Sequence, residues 1–190
     1  MARPREFDAD EAVERAKCLF WDQGFHATSV SDLAGALGLG AGSLYAAFGS
    51  KEGLYQRALE RYCEEQPAAL IEALDCADGI RAGLRGILVG LMEMDLAEPR
   101  GCFLVNATVE RDDHPATIDR VSATLARVES ALTGALERAK AGGELGVDKD
   151  PAALARFFLT FIQGLRVVGQ ARLGRAAVES AIASALTVLD

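Results

Sequence analysis

Helix boundaries recur along this chain so regularly that they narrow its fold before any other property does. Asp8, with Glu11 three residues on, resembles a capping box; Ala12, Val13, Ala16, Leu19 and Phe20 then mark one apolar face until Gly24 ends it. Ser29 with Asp32 repeats the start signal, Val30, Leu33, Ala34 and Leu37 supply the face, and Gly38 is a natural left-handed stop. A third short segment covers about 41–48, and a fourth begins at Ser50 and continues to about Glu65, where Pro67 bends or interrupts it. Ile80, Leu84, Ile87, Leu88, Leu91 and Met92 then recur at helical spacing up to Pro99-Arg100-Gly101. Residues 102–110 form a short apolar segment that fits helix or strand equally. After Asp113-His114-Pro115 a long helix carries Ile118, Val121, Leu125, Val128, Leu132 and Leu136 and closes at Gly142-Gly143. Asp150-Pro151 opens another, to about Leu173, apolar on more than one face, and Gly174 separates it from a last helix with Val178, Ile182, Leu186 and Leu189. No run of alternating residues competes, so the fold class is all-α.

Composition sets what such a bundle can be. A chain of 190 residues, half of them hydrophobic, buries a substantial core. The segment before residue 8 is too short and too charged for a signal peptide, and apolar runs such as 157–162 fall well below a membrane span, so a cytoplasmic protein with no membrane partner is expected. Cys18, Cys63, Cys76 and Cys102 stand apart, with only His26 and His114 as other soft ligands; reduced thiols are expected, with neither a metal site nor a cofactor. The net charge of −8 argues against general affinity for polyanions. Over the first 57 residues, Arg3, Arg5, Arg15, Lys17, Lys51 and Arg57 are outnumbered by eight acids, so any nucleic-acid binding must come from local geometry.

Two short helices joined by Gly38-Leu39-Gly40 fit a helix-turn-helix unit, whose second helix enters the major groove, and on spacing alone they fit a helical hairpin inside a bundle equally. Over residues 10–59 the chain, with GFHATSVSDLAGALGLGAGSLYAAFGSKEGLYQRAL at its heart, resembles the DNA-binding domain of the TetR family of transcriptional regulators. The shared pattern is a Gly-aromatic pair, a Thr-Ser-Val helix start, a Leu-Tyr-x-x-Phe recognition helix and a Ser-Lys-Glu start to helix four. The resemblance implies an all-α homodimer of about nine helices. It implies a DNA-binding domain over 1–50 and an effector-binding and dimerisation domain over 51–190, with 51–66 as a linking helix. It further implies a repressor that a small lipophilic effector releases from operator DNA.

The recognition helix is poor in hydrogen-bonding side chains, since Gly40, Ala41 and Ala47 stand where family members often carry polar ones. Ser43 and Tyr45 are its main polar candidates, while Ala41, Ala46 and Ala47 offer thymine-methyl contacts or close backbone approach, and Gly42 is a further DNA-binding candidate. Phosphate contacts fall to Ser43, Tyr45, Lys51, the amides opening helices two and four, and Arg3 and Arg5. Thr28 and Ser29 are candidates that a helix cap alone would explain, Arg3 and Arg5 also read as a solvated tail, and Tyr45 also reads as half-buried core.

In the rest of the chain, Leu88, Leu91, Met92, Cys102, Phe103, Phe157 and Phe161 are candidates for an apolar effector pocket, with Asn106 and Gln163 as polar handles. Such residues are more often plain core than ligand wall. Some relatives with a similar Gly-Cys-x-x-x-Asn string respond to electrophiles, and a thiol at a helix start beside Arg100 favours its thiolate, so Cys102 is an alternative sensor or a small buried hydrophobe. The resemblance places dimerisation on the last two long helices, through Phe158, Ile162, Leu165, Val168, Val178, Ile182 and Leu186. No nucleophile elbow, phosphate-cradling glycine loop or H-E-x-x-H helix points to an enzyme. A helical interaction module that has lost operator binding is a further alternative.

Overall fold

The computed structural model describes residues 8–190. Nine α-helices follow one another among them: α1 (Ala9–Gln23), α2 (Val30–Leu37), α3 (Ala41–Phe48), α4 (Lys51–Asp75), α5 (Ile80–Ala97), α6 (Phe103–Glu110), α7 (Pro115–Ala141), α8 (Pro151–Gln170) and α9 (Arg175–Leu186). A 3-10 turn, Thr187–Leu189, ends the chain, and no strand occurs among the described residues. The all-α expectation holds, and the segment that fitted either state is helical from Phe103 onward.

Local chemistry accounts for most boundaries. The Asp8 carboxylate accepts the Asp10 and Glu11 amides at 2.8 and 3.2 Å, so Asp8 caps α1 alone, while Glu11 turns to Arg15. At α2 the box is complete, with Ser29 Oγ taking the Asp32 amide at 3.1 Å and Asp32 Oδ2 taking the Ser29 amide at 2.8 Å. Gly38 closes α2 at φ 66°, a left-handed geometry open to glycine. Pro67 does not end α4, which continues through it for 25 residues. A proline there forfeits a single backbone bond, to the Cys63 carbonyl. Buried Leu59, Tyr62 and Cys63 on one side and Leu70 on the other hold the helix through that gap.

Two apolar clusters form the interior. The first joins α1, α2, α3 and the first half of α4 to α6, through Phe20, Leu33, Leu44, Phe48, Tyr55 and Phe103 among others. Its aromatic rings meet edge to face, Phe20 on Tyr55 at 5.1 Å and Tyr55 on Phe103 at 5.8 Å. The second joins α5, α7, α8 and α9 to the far half of α4. A boundary drawn at residue 50 therefore cuts through the first cluster, which takes Leu54 to Cys63 from α4 and Cys102 to Ala107 from the α6 region. Each fully buried ring or leucine contributes roughly 1.5–3 kcal/mol relative to exposure.

Among the described residues, α8 alone is long and apolar enough by length and composition to cross a bilayer. Here it packs on α7, α5 and α9. Its inward stripe is Phe158, Ile162 and Leu165, all buried within the single chain, as are Val178, Ile182 and Leu186 of α9. Those six residues, expected at the dimer interface, are core instead, and only Val168 of that set is half-exposed. On the outward side Phe157 is exposed and stacks at 6.0 Å on Phe161, which is half-buried, and Val167 is exposed.

Candidate DNA interface and internal cavity

The orientation of α3 follows from two residues. Leu44 and Phe48, one turn apart, are buried and fix the roll of the helix, which leaves Ala41, Gly42, Ser43, Tyr45 and Ala46 exposed together. Tyr45 is 47% exposed, so it is a surface residue and not half-buried core. Gly40 provides no side-chain cap for α3. By contrast Ser29 serves the start of α2, and Ser50 Oγ takes the Gly53 amide of α4 at 3.0 Å. One amide at the start of α2 and one at the start of α4 are thus taken by side chains, whereas no side chain takes any at the start of α3, beside Ser43.

Other candidate contacts are committed to the fold. Thr28 is fully buried and its hydroxyl donates to the Gly24 carbonyl at 2.6 Å, which removes it from any phosphate. The Ser29 hydroxyl donates to Asp32 at 2.6 Å and is spent as a cap. Lys51 Nζ donates to the carbonyls of Phe25 and Thr28 at 2.8 and 2.9 Å and sits 4.2 Å over the Phe25 ring. Its ammonium ties the start of α4 to the α1–α2 turn, so it is a structural tie in place of the free phosphate clamp expected of it. Arg3 and Arg5 lie outside the described residues.

The same turn is gripped by the end of α6. Glu110 Oε2 accepts the Phe25 amide at 2.8 Å, and a side chain on Gly24, at φ 82°, would collide with that carboxylate. Arg111, buried, pairs with Glu52 at 2.7 Å and lies 3.9 Å over the Phe25 ring. Burial would push the Glu52 carboxyl up, but the Gln56 amide and the Arg111 guanidinium outweigh it and hold the group below its ordinary range.

An internal cavity of about 310 Å³ lies between α4, α5, α6 and α8, with Trp21 of α1 in its wall. Of the expected pocket residues, Leu91, Cys102 and Gln163 line it. Leu88 and Met92 are buried in the second core, and Phe103 belongs to the aromatic cluster of the first. Asn106 donates to the Arg100 carbonyl at 3.1 Å, while Phe157 is exposed on α8 and Phe161 is half-buried against the second core. Ile162, expected at an interface, lines the cavity, together with Trp21, Tyr62, Gln66 and Arg166, which sequence reasoning missed. Arg166 had a signal: it is the sole charge in the apolar stretch 157–171.

Polar groups at the cavity are few and mostly paired. Arg166 and Asp95 form an ion pair at 2.9 Å with both side chains 3% exposed. Arg166 also donates to the Gly101 carbonyl, which accepts the Trp21 indole N–H at 3.1 Å as well. Burial pushes the Asp95 carboxyl above its ordinary value, and Arg166 pulls it back only in part. Cys102 is buried at the start of α6, where the Tyr62 hydroxyl donates to its sulfur at 3.8 Å. Arg100, read from the sequence as the neighbour of that thiol, instead pairs with Asp22 at 2.6 Å and Glu98 at 2.8 Å.

Comparison with known proteins matches both regions. Residues 12–58 fit the family of bacterial regulatory proteins described as tetR, and residues 80–185 fit a tetracyclin repressor-like C-terminal domain. The HTH-type transcriptional repressor ComR of Escherichia coli (strain K12) is 33% identical over 169 residues, covering 87% of this chain and 80% of its own. The HTH-type transcriptional regulator YezE of Bacillus subtilis (strain 168) is 30% identical over 194 residues, the whole of both chains. Among solved structures, a cysteine-substituted form of the regulator CifR, complexed with 26-bp double-strand operator DNA, superimposes over the full length of both chains with a TM-score of 0.87 at 32% identity.

Proposed function

The chain belongs to the TetR family and is a DNA-binding transcriptional regulator, and on that premise we propose that it is a cytoplasmic homodimeric repressor released by a small lipophilic effector. Its relatives are regulators, and it is not an enzyme. The observation that carries the DNA reading is the outward face of α3. Ala41, Gly42, Ser43, Tyr45 and Ala46 are exposed together beside a helix start that no side chain caps. Ser43 and Tyr45 read bases or hold phosphates, and the small residues let the backbone approach the groove.

Effector release is supported by who shares the cavity wall. Trp21, Tyr62 and Leu104 belong to the elements of the first apolar cluster, while Leu91, Ile162 and Gln163 come from α5 and α8. A molecule bound there touches both regions and favours whichever arrangement it fits better. Dimerisation is supported by the exposed Phe157 and Val167, with half-buried Phe161 stacked on Phe157 and half-buried Val168 beside them.

Selection of bound sequences from random double-stranded DNA tests the reading. An enriched inverted repeat is expected, since a twofold dimer reads two half-sites. Failure to enrich any sequence would return the chain to the interaction-module reading.

A second reading is favoured by the position of Cys102 in the cavity wall, where an electrophile that enters meets the sulfur. It predicts that N-ethylmaleimide labels Cys102 in the native protein and abolishes operator binding, while Cys102→Ala binds DNA with and without the reagent. Labelling that leaves operator binding intact ends this reading.

A further inference from the structure

The cavity's chemistry narrows what occupies it. This step rests on reading the cavity as the effector site. Its one ionic wall residue, Arg166, is matched by buried Asp95 at 2.9 Å and also donates to the Gly101 carbonyl. An anion bound there would compete for that guanidinium and leave the Asp95 charge buried without compensation, and a cation would face the Arg166 guanidinium with no carboxylate in the wall to pair with. Gln163 is a wall residue whose Oε1 is buried and has no hydrogen-bond partner; the Asp95 oxygens share that lack but lie outside the wall. A buried acceptor left unmet carries the full loss of its hydration, so an occupant that brings a donor gains what one without it cannot.

The mouth is as specific as the interior. Ala69 and Ala73 of α4, and Gly86 and Gly90 of α5, line the cavity and are exposed, each pair one turn apart. A Cβ added at Gly86 or Gly90 would meet nothing within 4 Å. Close packing thus gives no reason for these glycines, although each costs a helix interior about 1 kcal/mol relative to alanine. What they leave is an opening between α4 and α5.

We infer that the cavity takes an uncharged, largely apolar molecule that presents a hydrogen-bond donor to Gln163 Oε1 and enters between α4 and α5, past Gly86 and Gly90. The volume of about 310 Å³ is at the lower end of what holds a drug-sized compound.

N-phenyl-1-naphthylamine, uncharged and fluorescent in apolar surroundings, carries one N–H donor; its N-methyl derivative carries none. Titrated into the full chain, the parent is expected to bind about tenfold more tightly than the derivative. Gln163→Met keeps the length and removes the acceptor, and should make the two probes equal. Gly86→Leu and Gly90→Leu, which raise helix propensity, should preserve folding and abolish binding of both. Equal affinities in the wild-type protein, or a preference that survives Gln163→Met, overturn the donor assignment. Undiminished binding to both leucine variants overturns the entrance. If neither probe binds the wild-type chain, the effector reading of the cavity falls, and this one with it.

Discussion

Lys51 opens a helix, where the backbone dipole favours an acid, and it is tolerated because its ammonium turns back to two carbonyls of the α1–α2 turn. Replacing it with methionine leaves those carbonyls short of a charged donor. Lys51→Met should lower unfolding stability by about 1–3 kcal/mol in urea titration. Operator affinity should fall for all sequences alike, with the salt dependence of binding unchanged. A slope shallower by about 1 would instead mean that the ammonium also holds a phosphate. Tyr45→Ala should do the reverse, leaving the urea midpoint in place and altering which operator bases are preferred, because the ring is exposed on α3. The outward residues of α3 were legible in the sequence, since Leu44 and Phe48 mark the buried side and leave the others facing out. The ties of Lys51 and Thr28 were not, because the partners of Lys51 lie 23 and 26 residues away, across a turn that no periodicity describes.

At the scale of elements, α6 matters beyond its eight residues. One end, at Cys102 and Leu104, borders the cavity; the other, at Glu110 and Arg111, holds the α1–α2 turn and the start of α4. The second grip depends on acid. In the folded chain the Glu52 carboxyl titrates below its ordinary range, so its ionised form stabilises the fold. That stabilisation is complete above the unfolded carboxylate value and is lost as pH falls through the folded one. Glu52→Gln should therefore flatten the acid side of a plot of melting temperature against pH while changing its slope above neutrality little. The outer face of α8 carries a separate prediction: Phe157→Ser with Phe161→Ser should shift a dimer to monomer in analytical ultracentrifugation and leave helical content intact. Sequence periodicity could not separate these faces. Phe158 and Ile162 lie on one stripe and Phe157 and Phe161 on another, offset by a single residue, and both are apolar. Which stripe turns inward depends on α7, α5 and α9. The helix starts, in contrast, were legible at Asp8, Ser29, Ser50 and Asp150 because each cap is a short-range event between a side chain and the next turn's amides.

For the whole molecule, a net charge of −8 bears on how it holds DNA. Among the described residues few cations stand near α3, and Arg61, a natural candidate on α4, is engaged with Asp10 at 3.1 Å and Glu14 at 3.7 Å. The slope of log affinity against log salt should accordingly be shallow, since it counts cations that displace condensed counterions. A steep slope would point to Arg57, which is exposed on α4 and stacks over Phe48. The two apolar clusters also mean that the molecule does not divide cleanly: α4 contributes to both, and the Gly101 carbonyl receives one donor from α1 and another from α8. That shared carbonyl is held by Trp21, the one tryptophan in the chain and part of the cavity wall. The protein therefore carries an unlabelled optical probe at the junction, and the colour and intensity of its ultraviolet emission should change when the cavity is filled.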